Sequence, residues 1–313
     1  MTSDEIRKAM FFFTFLLLLA LDGFGDDLIP RLTFTSETGL AFIYGEAEEI
    51  VYKSPSGTDL LSLLVYPVPP GLGAYVGMEA RWRDSILTRI RLETAWPLMS
   101  GNLTDDDWGY DTPSTGEPDV HSDSTAYLTS WVHGDLEFGF PDNRLPITVE
   151  TLFGFTFRQM AWEGWDALQN PGTTDYPTGE ISGYIIDYRQ TWLIPWIGFS
   201  LGHKESATIL AVSLRFAPWM SVVGRDVHMA RTEPTTFVDV MSGGVMVSGG
   251  LRGEIRLADN IWLAGRISLE KFKGARGDTF IYEVGSPIET QYPNTGGAAL
   301  ILFSSYLGFS IHP

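Results

Sequence analysis

From Leu72 onward, apolar and polar positions alternate one by one. Leu72, Ala74, Val76, Met78, Ala80 and Trp82 interleave with Gly73, Tyr75, Gly77, Glu79 and Arg81. The dyad returns at Thr88, Ile90, Leu92, Thr94 and Trp96 against Arg89, Arg91 and Glu93, and at Leu210, Val212, Leu214 and Phe216 against Ala211, Ser213 and Arg215. It returns twice more, at Val245, Val247, Leu251 and Ile255 against Ser248, Arg252, Glu254 and Arg256, then at Ile261, Leu263, Ile267 and Leu269 against Trp262, Arg266, Ser268 and Glu270. A period of two marks β-strands, each with one apolar and one polar face.

Two architectures use such strands. A soluble sandwich turns the apolar face to a shared core, whereas a transmembrane barrel turns it to lipid and encloses a polar interior. Sandwich strands commonly run about 3 to 10 residues. Here the alternation runs longer, with Arg and Glu in register on one face, which favours a barrel with a charged, ion-paired lumen. Tight turns are predicted at 83–85, 141–144, 203–205 and 258–260. Long polar segments rich in Gly, Pro and Asp are predicted near 53–58, 101–124, 161–183, 224–236 and 274–295. Short and long connections alternate, so the expectation is an all-β fold: a ten-stranded antiparallel transmembrane β-barrel with both termini on the short-turn side and the long loops outside.

The first 25 residues follow another pattern. Arg7 and Lys8 precede an apolar run from Met10 to Leu21, then Gly23 and Gly25, the order of a secretory signal peptide cut between Asp22 and Asp26. That run is too short for a spanning helix, which needs about 20 residues. The expected organisation is therefore a signal at 1–25 and a single barrel at 26–313. With 21 Lys+Arg against 39 Asp+Glu the net charge is −18, and there is no Cys. The charge sign argues against nucleic acid as a partner and favours cationic polypeptides. The missing Cys removes disulfide scaffolds and Cys-ligated metal sites.

Candidate chemistry lies in the segments predicted as long loops, which a barrel gathers at one rim. One contains Asp105-Asp106-Asp107-Trp108 and another Asp226-Val227-His228. Each motif alone reads most simply as solvated loop charge. Facing one another across a barrel mouth they form a constellation. Residues two apart on an extended strand share a face, so Asp226 can pair with His228. Two close carboxylates, Asp105 and Asp107, should not both ionise, so one can hold a proton at neutral pH. A metal site is not expected, because the pair supplies a single His.

In order and spacing, these motifs resemble the omptins, the outer-membrane aspartyl endoproteases of Gram-negative bacteria. The resemblance includes the segment from Gly45 to Tyr52 (GEAEEIVY), Asp105-x-Asp107-Trp108, Pro195-Trp196-Ile197-Gly198 and Asp226-x-His228. It implies a ten-stranded barrel rising well above the membrane. It also implies catalytic roles for Asp105, Asp107, Asp226 and His228, with His228 as general base on water, Asp226 orienting it, and no covalent nucleophile. Further implications are polypeptide substrates, an active site facing the exterior, no cofactor other than a requirement for lipopolysaccharide, and a monomer. Arg158 and Arg189 are the candidate lipopolysaccharide contacts.

On the substrate side the sequence departs from the family. Glu49 matches a glutamate that helps receive the basic side chain before the scissile bond, and Glu117 roughly matches an acidic residue used on its other side. The aspartate expected beside Glu49 is replaced by Gly224, so half of the acidic pocket is missing, and Arg225 next to it opposes a Lys or Arg side chain, against the family's preference for cleaving between basic residues. The family's once-suspected serine aligns near Asp119. His121, His133, His203 and His312 read as solvated or structural; Trp108, Trp162 and Trp165 read as mouth, girdle or loop-packing residues. Pro313 stands where such barrels commonly end in an aromatic residue. Two functions follow: an endopeptidase, or a proteolytically altered barrel serving as an adhesin or binding protein.

Overall fold

The computed structural model describes residues 32–82, 85–142, 147–171, 179–230, 233–283 and 290–312. The expected signal peptide and Pro313 lie outside these residues. Among the described residues every regular element is a strand: β1 (Leu32–Tyr52), β2 (Leu60–Trp82), β3 (Ile86–Pro97), β4 (Gly101–Asp107), β5 (Val120–Asp142), β6 (Thr148–Asn170), β7 (Glu180–Lys204), β8 (Thr208–Ala217), β9 (Met220–His228), β10 (Thr235–Gly243), β11 (Val245–Arg256), β12 (Ile261–Glu283) and β13 (Thr290–Ile311). Three of the boundaries are interruptions within one barrel strand. β3 and β4 both pair β2 and β5, β8 and β9 both pair β7, and β10 and β11 both pair β12. Joining them gives ten antiparallel strands, and β1 pairing with β13 closes the ring.

The alternation has the predicted sense. Leu72, Val76, Ile90, Leu92, Leu210, Leu214, Val247 and Leu251 are exposed on the outer wall, and Tyr75, Arg89, Glu93 and Glu254 are buried inside. The outer apolar band ends near exposed Tyr44, Trp96 and Trp219, where two of the strand interruptions also lie. The third falls at Gly243 and Gly244, with φ of +83° and +72°. A Cβ on Gly244 would stand 2.6 Å from the backbone nitrogen of Ala275, so only glycine suits both the left-handed backbone and the close approach.

The strands outrun the loops expected from sequence. β7 has 25 residues, whereas crossing the bilayer takes about 9–11. Of the connections opposite the tight turns, the first stays near its expected length at 53–59, and the other four shrink to 108–119, 171–179, 229–234 and 284–289. Above the lipid the outer face need not be apolar. The dyad therefore loses contrast while the backbone ladder continues.

The interior has two levels. In the upper half, side chains from opposite walls meet and fill the barrel: Tyr66 stacks on Tyr188 with centroids 4.1 Å apart, and Trp162 packs against both. Each ring buried there contributes about 4–6 kcal/mol of apolar transfer free energy, before entropy is counted. Gln190 reaches across to the carbonyl of Glu48 at 3.0 Å. Below this plug lies a charged cavity of about 400 Å³ lined by residues that include Glu79, Arg89, Glu137, Glu150 and Arg215.

Candidate active site

Alternation on β9 decides which side chains enter the mouth. Val222, Gly224, Asp226 and His228 face inward, and Arg225 is exposed on the outer wall. The sequence expectation that Arg225 opposes a basic substrate is thereby corrected, because one residue of offset on a strand reverses the face. Asp226 is buried and meets His228 at 2.6 Å between Oδ2 and Nε2. The imidazole packs on Phe237 of β10, ring centroids 5.0 Å apart. The other oxygen of Asp226, Oδ1, is buried without a hydrogen-bond partner.

β4 supplies the opposing couple, four barrel strands away in the ring. Leu103, Asp105 and Asp107 share its inner face, and Asp106 turns outward to His121, where Oδ1 and Nδ1 lie 2.6 Å apart. That contact raises the pKa of His121 on the outer surface. Ser62 of β2 donates to Asp105 at 3.2 Å. Desolvation in the mouth and the charge of Asp107 lift Asp105 to about 7, against the opposing pull of His228. These four residues lie on strands, where the sequence reading placed them in loops.

Glu49, the inner-face residue near the end of β1, is buried and accepts from Tyr66 Oη at 3.2 Å. Burial, then the charges of Asp226 and Asp239, push its carboxyl well above the usual range. Gly224 lies on the inner face of β9. Glu117 is exposed on the 108–119 loop and makes no hydrogen bond or ion pair among the described residues. Asp119 has a local structural task, accepting from the Gly109 N–H at 2.5 Å and Thr112 Oγ1 at 3.1 Å.

One acidic residue went unnoticed in the sequence. Asp239 on β10 is buried, stands directly opposite Gly224, and accepts from Thr279 Oγ1 at 2.5 Å. Burial and the Asp226 charge raise its pKa to about 6. Its signal was a lone carboxylate on the inner parity of β10, between Phe237 and Met241. Tyr66, Tyr188 and Gln190, which floor the mouth, carry no motif.

The sequence profile of the Omptin family matches residues 31–312, nearly the whole chain. The chain belongs to the Omptin family. Family and lipid-facing band together make it a barrel of the Gram-negative outer membrane. In fold it is similar to the outer membrane protease OmpT from Escherichia coli, at 15% identity and a TM-score of 0.79, over 90% of this chain and 97% of OmpT. The translocator domain of the autotransporter NalP from Neisseria meningitidis matches at 10% identity and a TM-score of 0.37, over 98% of this chain and 97% of that domain. The toluene transporter TodX from P. putida matches at 8% identity and a TM-score of 0.30, over 90% of each chain. Among curated proteins, none matches in sequence.

Trp108 is buried with its indole N–H on the Gly116 carbonyl, Trp162 belongs to the plug, and Trp165 stacks on Tyr184. Arg158 turns into the lumen, pairs with Glu270 at 2.5 Å and cannot meet lipid from there. Arg189 is exposed on the outer wall, directly opposite Arg225.

Proposed function

We propose that this omptin is an outer-membrane endopeptidase that hydrolyses exposed polypeptides by direct attack of water. The observation that carries the reading is the 2.6 Å Asp226–His228 contact on the inner face of the mouth, opposite a carboxylate pair that includes Asp105. Asp226 holds Nε2, so Nδ1 of His228 receives the proton from water. Asp226 then stabilises the imidazolium. Asp105, titrating near neutrality, donates a hydrogen bond to the developing oxyanion from its protonated form and shares that proton with Asp107. Attack on the peptide carbonyl yields a tetrahedral intermediate. His228 returns its proton to the leaving amine, and carboxylic acid and amine separate with no covalent enzyme intermediate.

Lipopolysaccharide fits as an activator through Arg189 and Arg225. Two like charges opposite one another across a sheet repel, and a phosphate between them would offset that cost. The adhesin alternative draws its motive from Gly224. Peptide cleavage by the refolded barrel in lipopolysaccharide, compared with Asp226→Ala and His228→Ala, tests the reading. Loss of cleavage in both variants with the fold retained is expected; undiminished cleavage in either removes the mechanism.

A further inference from the structure

We propose that the lower lumen holds a site for hydrogen phosphate, with Arg91 of β3 and Arg266 of β12 as donors to its oxygens and Glu93 of β3 as acceptor of its proton. The site lies apart from the mouth and does not rest on the endopeptidase reading. Alternation turns all three side chains inward, onto the charged cavity of about 400 Å³. Arg266 and Arg252 are direct partners in the β11–β12 ladder, so two guanidiniums stand side by side on the inner wall. Like charges so placed repel. Arg91 reaches the same recess from β3, passing beside Gly77 of β2, where a Cβ would stand 3.4 Å from its Cγ.

Pairing around these residues is uneven. Glu37 takes Arg252, Asp135 takes Arg215 at 3.1 Å and Thr156 at 2.5 Å, and His133 is held between Arg158 and Asp135. Among the described residues neither Arg91 nor Arg266 makes a hydrogen bond or an ion pair; Arg266 has the ring of Tyr306, 6.0 Å from its guanidinium carbon. Nη1 of Arg91 is buried without a partner, and so is Oε1 of Glu93, which accepts from Tyr306 Oη at 2.5 Å through its other oxygen. Buried donors and acceptors left this way cost free energy, and a matching ligand removes that cost. Two guanidinium forks suit a tetrahedral oxyanion, and a lone carboxylate oxygen beside them suits an anion that carries a proton. Hydrogen phosphate keeps one at neutral pH; sulfate does not. The cavity lining continues to exposed His203 and Lys204 at the tight-turn end, whereas the aromatic plug fills the other, so the ion enters from the periplasm.

The test is calorimetric titration of the refolded barrel in a phosphate-free detergent without lipopolysaccharide, at ionic strength fixed with sodium chloride. Sodium phosphate, sodium sulfate and glycerol phosphate are compared on wild type, Arg266→Gln and Glu93→Gln. Wild type should bind one phosphate and prefer it to sulfate at least tenfold, because an acceptor built for a hydroxyl rejects an anion that lacks one. Glycerol phosphate, bulkier and less protonated, should bind more weakly than phosphate. Arg266→Gln should weaken phosphate binding at least tenfold. Glu93→Gln keeps an oxygen for Tyr306 but offers an amide N–H in place of the acceptor, so it should remove the preference for phosphate over sulfate. Phosphate should also delay heat-induced loss of the folded gel mobility in wild type and not in Arg266→Gln. No phosphate binding by wild type, or sulfate or glycerol phosphate bound as tightly as phosphate, overturns the proposal, and neither result depends on a variant folding. Undiminished phosphate binding in Arg266→Gln, or an unchanged preference in Glu93→Gln, overturns it as well, the former placing the ion on another patch such as Arg189 and Arg225 of the outer wall.

Discussion

At the scale of single residues, the mouth concentrates groups whose protonation the fold has displaced. Asp105 sits at about 7 instead of 3.8, so its protonated form is favoured by folding. The contribution is complete below the unfolded value and is lost as pH rises through about 7. The charge therefore costs on the order of 1–4 kcal/mol at pH 8. Asp105→Asn should raise the melting temperature by a few degrees at pH 8 and leave it unchanged at pH 4, as followed by heat-induced loss of the folded gel mobility. A gain of equal size at both pH values would refute the assignment. Asp239, lifted to about 6, predicts a second signature. Folding stability should step down as pH rises through about 6, because the protonated form of Asp239 is the one folding favours, in a setting that includes Glu49, Asp226 and Thr279. In Asp239→Asn that step should disappear.

At the scale of elements, the membrane-facing strands were legible because lipid outside and charge inside give a dyad of full contrast, as in Ile90 and Leu92 against Arg89 and Arg91. Above the band that contrast fades. Segments such as 101–107 and 224–228 carry Asp, Gly and polar residues and read as loop, although their backbones remain in the ladder. Asp226 and His228 were visible as a motif. Asp239 was not, because its importance comes from a cross-strand partner that no local spacing reveals. The β1–β13 seam that closes the barrel offers a test of element packing. A Cβ on Gly308 would lie 2.1 Å from the Thr38 carbonyl oxygen and 2.6 Å from the Gly39 Cα. Gly308→Val should therefore force the closing strands apart and sharply lower the folded fraction on refolding, read by heat-modifiable electrophoresis; wild-type yield would contradict that close approach.

At the scale of the whole molecule, the barrel separates two electrostatic tasks. Around Arg89 the lower lumen neutralises its charges internally: Arg89 meets Glu79 and Glu137 at 2.5 Å each and Glu150 at 3.2 Å. Replacing Arg89 with Met would take one arginine from each of three carboxylates while Arg215 stays on Glu137 at 2.9 Å and Arg81 on Glu79 at 3.0 Å, so a loss of about 3 kcal/mol, the lower end for a broken buried pair, is expected. Chemical denaturation in detergent would measure it. In the upper mouth, among the described residues, no Lys or Arg pairs with Glu49, Asp226 or Asp239, and the Asp226–His228 pair is open to whatever enters. The central claim is that this pair activates water for peptide hydrolysis. Its most direct test is mass spectrometry of a randomised peptide library incubated with equal folded amounts of wild type and His228→Ala in lipopolysaccharide. The account predicts discrete new termini from wild type and at least a thousandfold slower cleavage from the variant. Equal cleavage by both, or none by either, would contradict it.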